Sequence, residues 1–334
     1  MYRWMLALLL LPAAARVEAA DVCPVLRSQT ASADIATRIA AVACNEQVLW
    51  YRAFIDRDGR LASASVHEGD SSVLDDGYSR AWRRVARYWQ ESGLLRSTAH
   101  LPGATECEYA GNQYNPAPNC RGFVIDNAWS ATFVSWVLMK ARLPGFRPDA
   151  SHVGYVRAAY REPQTNAYRY LDPAHARPAV GDLLCYVRQD GHVLGYAGLQ
   201  SVLQGQGGLP MHCEIVVAAN PGNDGTAYLI GGNVQQGVTL RMLALNRTGE
   251  FWGLPQRTGN DTPCAPDTQS GCNFNRQDWA VLLKLKPAAE LASLPAPVGI
   301  FASPVLPTQS TAPRCCINCV VGSGVPRCPP SNRD

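Results

Sequence analysis

Twelve cysteines, all of them beyond residue 20, constrain this chain more than any other feature. The segment ahead of them opens with Met1-Tyr2-Arg3, runs apolar from Trp4 to Ala15 and reaches small residues around Ala19 and Ala20. A short basic start, an apolar stretch and small residues form the pattern of a cleaved export signal, with cleavage expected near Ala19 or Ala20. That run is too short to span a bilayer, and no later segment has the roughly 18 uninterrupted apolar residues a membrane helix needs. Cys23 follows Asp21 and Val22, where a lipoprotein signal would have small residues, so no lipid anchor is expected. The expected location is periplasmic or secreted, and in such an oxidising compartment cysteines serve as disulfides. Local pairs are the natural partners: Cys23 with Cys44, Cys107 with Cys120, Cys264 with Cys272. Cys185 and Cys213 lie in apolar, strand-like runs and are either a cross-strand bridge or two buried thiols.

The 334 residues carry a formal charge of +3. Removing the signal, with Arg3, Arg16 and Glu18, lowers this by one. A balance so close to neutral gives no electrostatic case for nucleic-acid binding.

The order of periodicities indicates the fold class. Residues 32–54 place Ile35, Ile39, Val42 and Leu49 at helical spacing, and residues 77–95 do the same with Trp82, Val85, Ala86 and Trp89. A turn-rich stretch from Leu101 to Arg121 leads to a third helix from about Asp126 to Ala141, and a short fourth follows around Ser151 to Tyr160. After Pro178 the texture changes to short β-rich runs: Asp182–Arg188, Cys213–Ala219, Ala227–Ile230, Gly237–Leu243 and Trp279–Leu285. The Gly- and Gln-rich segment from Gln189 to Met211 reads as a loop. Helices first and strands afterwards predict an α+β fold, with N-terminal helices packed on an antiparallel β-sheet. The expected division is a signal at 1–20, an N-terminal helical extension at 21–125, an α+β core at 126–286 and a Pro/Cys-rich tail at 287–334. In that tail Cys316-x-x-Cys319 has a spacing that zinc can use, but export favours disulfides, including ones that link two copies of the chain.

Several catalytic signatures are absent: no G-x-S-x-G elbow, no S-x-x-K and no H-E-x-x-H occurs. His212-Cys213-Glu214 spells the H-x-E of zinc deaminases, yet its P-C-x-x-C partner is missing. No metal and no cofactor is expected. What remains is an ordered set. Ser130, in Asn127-Ala-Trp-Ser-Ala-Thr-Phe-Val, sits at a helix start and shares a face with Val134, Val137, Leu138 and Ala141, which points it towards the core. There it feels unpaired N–H groups and the positive end of the helix dipole. His212 heads the strand His-Cys-Glu-Ile-Val-Val, and Asn233 follows the strand Tyr-Leu-Ile-Gly-Gly. An amide leaving one strand next to a histidine entering another can orient the imidazole for general-base work. Trp129, His152 and His192 are candidates to line the cleft. His152 reads more readily as a packing residue, and His192, in Asp190-Gly191-His192-Val193, is the rival base.

The stretches Trp129-Ser130-Ala131, Gly181-Asp182-Leu-Leu-Cys185, His212-Cys-Glu-Ile-Val and Gly232-Asn233-Val234 follow an order that resembles the papain-like cell-wall amidases and peptidases of the NlpC and CHAP type. The resemblance extends from about Ala128 to Leu243. It looks closer still to an uncharacterised bacterial branch with Trp-Ser in place of Trp-Cys and a His-x-x-Tyr helix, matched here by His152 and Tyr155. It implies a papain-like core with Ser130 as nucleophile, His212 as base, Asn233 as the orienting group and Asp182 as a structural residue at a strand start. It further implies hydrolysis of an amide or ester in the cell envelope, with peptidoglycan as partner. Serine marks a departure, because a thiolate can be held ionised beside an imidazolium whereas a hydroxyl must lose its proton during attack. A cell-wall-binding pseudoenzyme and a disulfide-linked structural protein are the alternative readings.

Overall fold

The computed structural model describes residues 22–112, 114–189, 192–258 and 272–296, together with 318–319 and 326–327. The signal segment, Cys264 of the expected Cys264–Cys272 pair and most of the Cys-rich tail lie outside the described residues. The chain divides into two units, 1–298 and 299–334.

In the first unit, helices α1 (Val22–Arg27), α2 (Ile35–Leu49), α3 (Ala81–Glu91), α4 (Leu94–Ser97), α5 (Pro118–Asp126), α6 (Ser130–Lys140) and α7 (His152–Arg161) precede most of the sheet. Its strands are β1 (Phe54–Ile55), β2 (Leu61–Ala62), β3 (Tyr168–Leu171), β4 (Leu183–Val187), β5 (Met211–Ala219), β6 (Thr226–Val234), β7 (Gly237–Ala244) and β8 (Asp278–Leu285). They form one sheet in the order β2-β1-β7-β6-β5-β4-β8-β3. Every pairing is antiparallel except β1 with β7. The chain is therefore α+β with a largely antiparallel sheet, as the helix-then-strand order predicts.

The period of two along the strands separates two apolar layers. Leu183, Cys185, Cys213, Ile215 and Val217 face the helices and join Phe133, Val134 and Val137 of α6 in the main core. Leu184, Tyr186, Val216, Leu229 and Trp279 face the other way and pack with Phe251 and Leu245 in a smaller cluster. Burial on both faces explains why β4 reads Leu-Leu-Cys-Tyr-Val without alternation. Every residue of α6 from Ser130 to Met139 is buried, as expected of a helix that is apolar nearly all round.

Local chemistry sets the element ends. Asp34 caps α2 by accepting from the Thr37 N–H at 2.9 Å, and Pro118 opens α5, where its missing N–H costs nothing. Asp182, at the head of β4, accepts from the backbone N–H groups of Ala179 (2.7 Å) and Leu285 (2.8 Å) and from Lys284 Nζ (2.8 Å), so it fastens β4 to β8.

Three disulfides lie among the described residues: Cys23–Cys44, Cys107–Cys120 and Cys185–Cys213. Cys185 stands directly opposite Cys213 in the β4–β5 ladder, with Cα atoms 4.0 Å apart, so of the two readings of this pair the cross-strand bridge is the one that forms.

Two segments differ from expectation. The stretch from Gln189 to Met211 holds helix α8 (Gly195–Gln204), which buries Leu199 and Leu203 against the core. Gly195, Gly198, Gln200 and Gln204 within the helix mask that apolar spacing. The turn-rich stretch before Arg121 already contains the first residues of α5. After β8, helix α9 (Ala288–Leu291) buries Leu291 in the main core. In the second unit the described residues form a two-stranded antiparallel ribbon, β9 (Asn318–Cys319) with β10 (Pro326–Arg327). No helix of the described residues is long and apolar enough to cross a membrane.

Candidate active site

Helix α6 begins at Ser130, with Trp129 in the N-cap position and making no side-chain cap bond of its own. The first intrahelical bond runs from the Phe133 N–H to the Trp129 carbonyl at 2.8 Å. The N–H groups of Ser130, Ala131 and Thr132 therefore precede the ladder and gather positive potential around the Ser130 side chain.

A neighbouring strand holds this helix start in place. With its amide turned to satisfy both contacts, Asn233 accepts from the Trp129 N–H at 3.2 Å and donates to Glu68 Oε2 at 2.8 Å. Trp129 Nε1 donates to the same carboxylate oxygen at 2.7 Å, and burial pushes the Glu68 carboxyl above its ordinary value. The Trp129 ring is stacked against both Trp50 and Tyr88. Asn233 itself adopts φ +56° at a register shift in β6, a left-handed conformation that asparagine tolerates better than most residues. The preceding Gly231-Gly232 pair is required by close approach. A Cβ on Gly232 would sit 2.4 Å from Phe133 Cγ, and one on Gly231 would sit 3.0 Å from His212 Nε2.

Ser130 Oγ lies 2.7 Å from His152 Nε2. His152 opens α7, and its Nδ1 hydrogen-bonds the Tyr155 hydroxyl one helical turn on. With the ring proton on Nδ1, donated to the Tyr155 oxygen, Nε2 accepts the Ser130 hydroxyl proton; the other tautomer reverses both bonds. Ser130, His152 and Tyr155 are all buried. Burial pushes His152 down to about 3, which keeps its imidazole neutral, and pushes the Tyr155 phenol up.

His212 sits beside this chain of bonds but outside it. Its ring centroid is 5.1 Å from that of His152 and 5.1 Å from that of Tyr186. Both ring nitrogens are buried without a hydrogen-bond partner among the described residues. The nearest carboxylate oxygen, Glu214 Oε1, is 3.6 Å from Nε2. That carboxylate is already held by Arg241, through Nε at 2.8 Å and Nη2 at 2.9 Å. Burial, then the charges of His152, Arg188 and Arg241, hold His212 well below the ordinary imidazole value. His212 and Asn233 line a small cleft of about 90 Å³ with Tyr186, Arg188, Gln235 and Arg241. A separate cavity of about 360 Å³ opens around Tyr196, Phe251 and Trp279.

The expected trio is thus distributed over two clusters. Ser130 bonds to His152, not to His212, because α7, packed on β3 and β5, brings the side chain of its first residue to the start of α6. Asn233 secures Trp129 and Glu68 and makes no hydrogen bond to His212. His152, expected to pack, instead supplies the imidazole in contact with the hydroxyl. His192 is exposed in the loop before α8, where its carbonyl accepts from Arg257 at 3.2 Å. Glu68, from an irregular segment, carried no signal in the sequence. The His-x-x-Tyr spacing of His152 and Tyr155 did carry one. Among the described residues no group of three or more His, Cys, Asp or Glu side chains could hold a metal ion.

A family model described as an uncharacterized protein conserved in bacteria, DUF2272, matches residues 76–285. No curated protein and no solved structure matches the chain. The matched span takes in Trp129, Ser130, His152, His212 and Asn233, and leaves Glu68 outside it. Since it covers more than half of the sequence, the chain belongs to the DUF2272 family of proteins conserved in bacteria.

Proposed function

We propose that this protein is an exported hydrolase of the papain-like type that uses Ser130 to cleave an amide or ester bond of the cell envelope, with a peptide bond of peptidoglycan as the first substrate to test. The observation that carries this reading is the 2.7 Å contact between Ser130 Oγ and His152 Nε2 at the N-terminus of a buried helix. In the reaction Ser130 Oγ bonds to the carbonyl carbon while its proton passes to His152 Nε2. The N–H groups of the first turn of α6 face the charge that develops on the carbonyl oxygen. His152 then returns the proton to the departing amine or alcohol, and water repeats the sequence to release the acyl group. Tyr155 fixes the ring, and the Asn233, Glu68 and Trp129 cluster fixes the helix end. Cys185 and Cys213 are joined to each other, which leaves the hydroxyl as the nucleophile of this site.

Two observations favour a second reading, a wall-binding protein that does not cut. Ser130 is buried and the small cleft is lined by His212 and Asn233 instead, and an imidazole held near 3 is a weak base at neutral pH. Digestion of purified peptidoglycan, read by mass spectrometry, separates the two. The hydrolase reading expects new fragments from the wild type and a loss of at least about 10³-fold in Ser130→Ala. Retention on the wall without fragments supports the binding reading.

A further inference from the structure

The small cleft lined by His212 and Asn233 combines three features. First, His212 is fully buried at its wall with two ring nitrogens that no described residue satisfies. A buried polar group left unpaired costs about 1–3 kcal/mol, so an imidazole kept in this state at a cavity wall is poised for a group that arrives from outside. Second, Arg188 lines the same cleft, is exposed, and makes no side-chain hydrogen bond or ion pair with any described residue. Third, the other charges at the cleft cancel: Arg241 is bound bidentately to Glu214, and its remaining Nη1 donates to the Phe274 carbonyl and to Asn275 Oδ1. Among the described residues lining the cleft, the uncompensated charge is therefore the guanidinium of Arg188. The remaining polar lining, Gln235, Gln277, Asn233 and the Tyr186 hydroxyl, adds neutral hydrogen-bonding groups.

We infer that this cleft is a carboxylate subsite, which takes the free carboxyl end of a short peptide with one oxygen on the Arg188 guanidinium and the other on a ring N–H that His212 turns out of its buried position into the cleft. A volume of about 90 Å³ admits a carboxylate and the small side chain next to it. Guanidinium and carboxylate match in geometry as well as charge, and His212 gains the partner it lacks. With the His212 ring centroid 5.1 Å from that of His152, the subsite directs the protein towards peptide bonds close to a chain terminus. The inference deepens the hydrolase reading, and the binding test is run on Ser130→Ala so that carboxylate capture and cleavage can fail separately.

The test is a titration of the disulfide-bonded mature Ser130→Ala protein, labelled with ¹⁵N at histidine, with N-acetyl-alanine and with its primary amide. The His212 ring signals are assigned by His212→Gln. The expected result is a saturable shift of the His212 ring signals with the acid and binding of the amide at least about tenfold weaker. Arg188→Gln, at an exposed position, should weaken the acid by a similar factor and leave the amide unchanged. Absence of a saturable shift with the acid would overturn the inference, as would equal binding of acid and amide or an Arg188→Gln protein that binds the acid as the wild type does. Loss of peptidoglycan cleavage in the wild type, with acid binding intact, would count against the hydrolase and leave the subsite standing.

Discussion

The two sides of this site are built on opposite principles. On the helix side, Ser130, His152, Tyr155, Trp129, Asn233 and Glu68 are buried or nearly so and joined by hydrogen bonds from one element to the next. On the cleft side, His212 has no hydrogen-bond partner and Arg188 has no counter-charge among the described residues. The difference teaches where order is built in and where it waits for a ligand. A network with its donors and acceptors matched holds a reacting group in one geometry, whereas unmatched capacity at a cavity wall marks the place a substrate would complete.

That contrast can be broken at several points. The largest effect on stability is expected beneath the cleft. Arg241→Met would leave the Glu214 carboxylate buried without its guanidinium, at a cost of about 3–5 kcal/mol, read from chemical denaturation. If the variant proves as stable as the wild type, the Arg241–Glu214 pair does not hold the floor of the cleft.

Acid should act next. His152 and His212 are neutral in the folded protein and protonate once unfolded, so acid favours the unfolded chain. The histidine share of the stability is expected to be level above about pH 6.5, the ordinary imidazole value, and to fall as the pH drops below it, while the buried carboxyls of Asp182, raised to about 6, and of Glu68, also raised, gain protons on folding and act in the opposite sense. For His152, lowered from 6.5 to about 3, the loss is about 2 kcal/mol at pH 5. Thermal melts from pH 7.5 to 4.5 would follow it, and His152→Gln should flatten its share of the slope. Equal slopes in the wild type and in His152→Gln would show that His152 is not held neutral.

A smaller effect is expected at the joint between the two sides. Asn233→Ala would place an alanine at φ +56° and remove both amide bonds, costing about 1–2 kcal/mol. Asn233→Gly relieves the backbone and still loses the bonds, so a comparison of the two melts separates strain from the clamp on α6. If the glycine variant matches the wild type in stability, Asn233 does not hold the start of that helix.

Much of the framework was legible because it rests on local pattern. The periodicities of α2, α3, α6 and of β4 to β8 are plain in the chain, and Cys185 and Cys213 declared themselves as candidates for a bridge by lying in adjacent strand-like runs. Helix α8 was hidden because its glycines and glutamines carry the composition of a loop, and only burial of Leu199 and Leu203 against the sheet fixes it as a helix. The short strands β1 and β2 have two residues each, too few to establish a period. In the site, Ser130 was visible from the helix start and His212 from its strand. Their separation into different clusters was not, because whether an imidazole reaches a hydroxyl depends on how α7 meets α6, a tertiary contact with no local signature. Glu68 shows the same limit from the other side: a single acid in an irregular segment becomes part of the site only through the fold of the helical layer over β6.

The most direct measurement is covalent capture of Ser130. Treated with a fluorophosphonate and examined by intact-mass and peptide mass spectrometry, the wild-type protein is predicted to gain one adduct, on the peptide that contains Ser130, at a rate that falls sharply in His152→Gln. No adduct on Ser130, or equal labelling in the presence and absence of the His152 imidazole, would contradict the account.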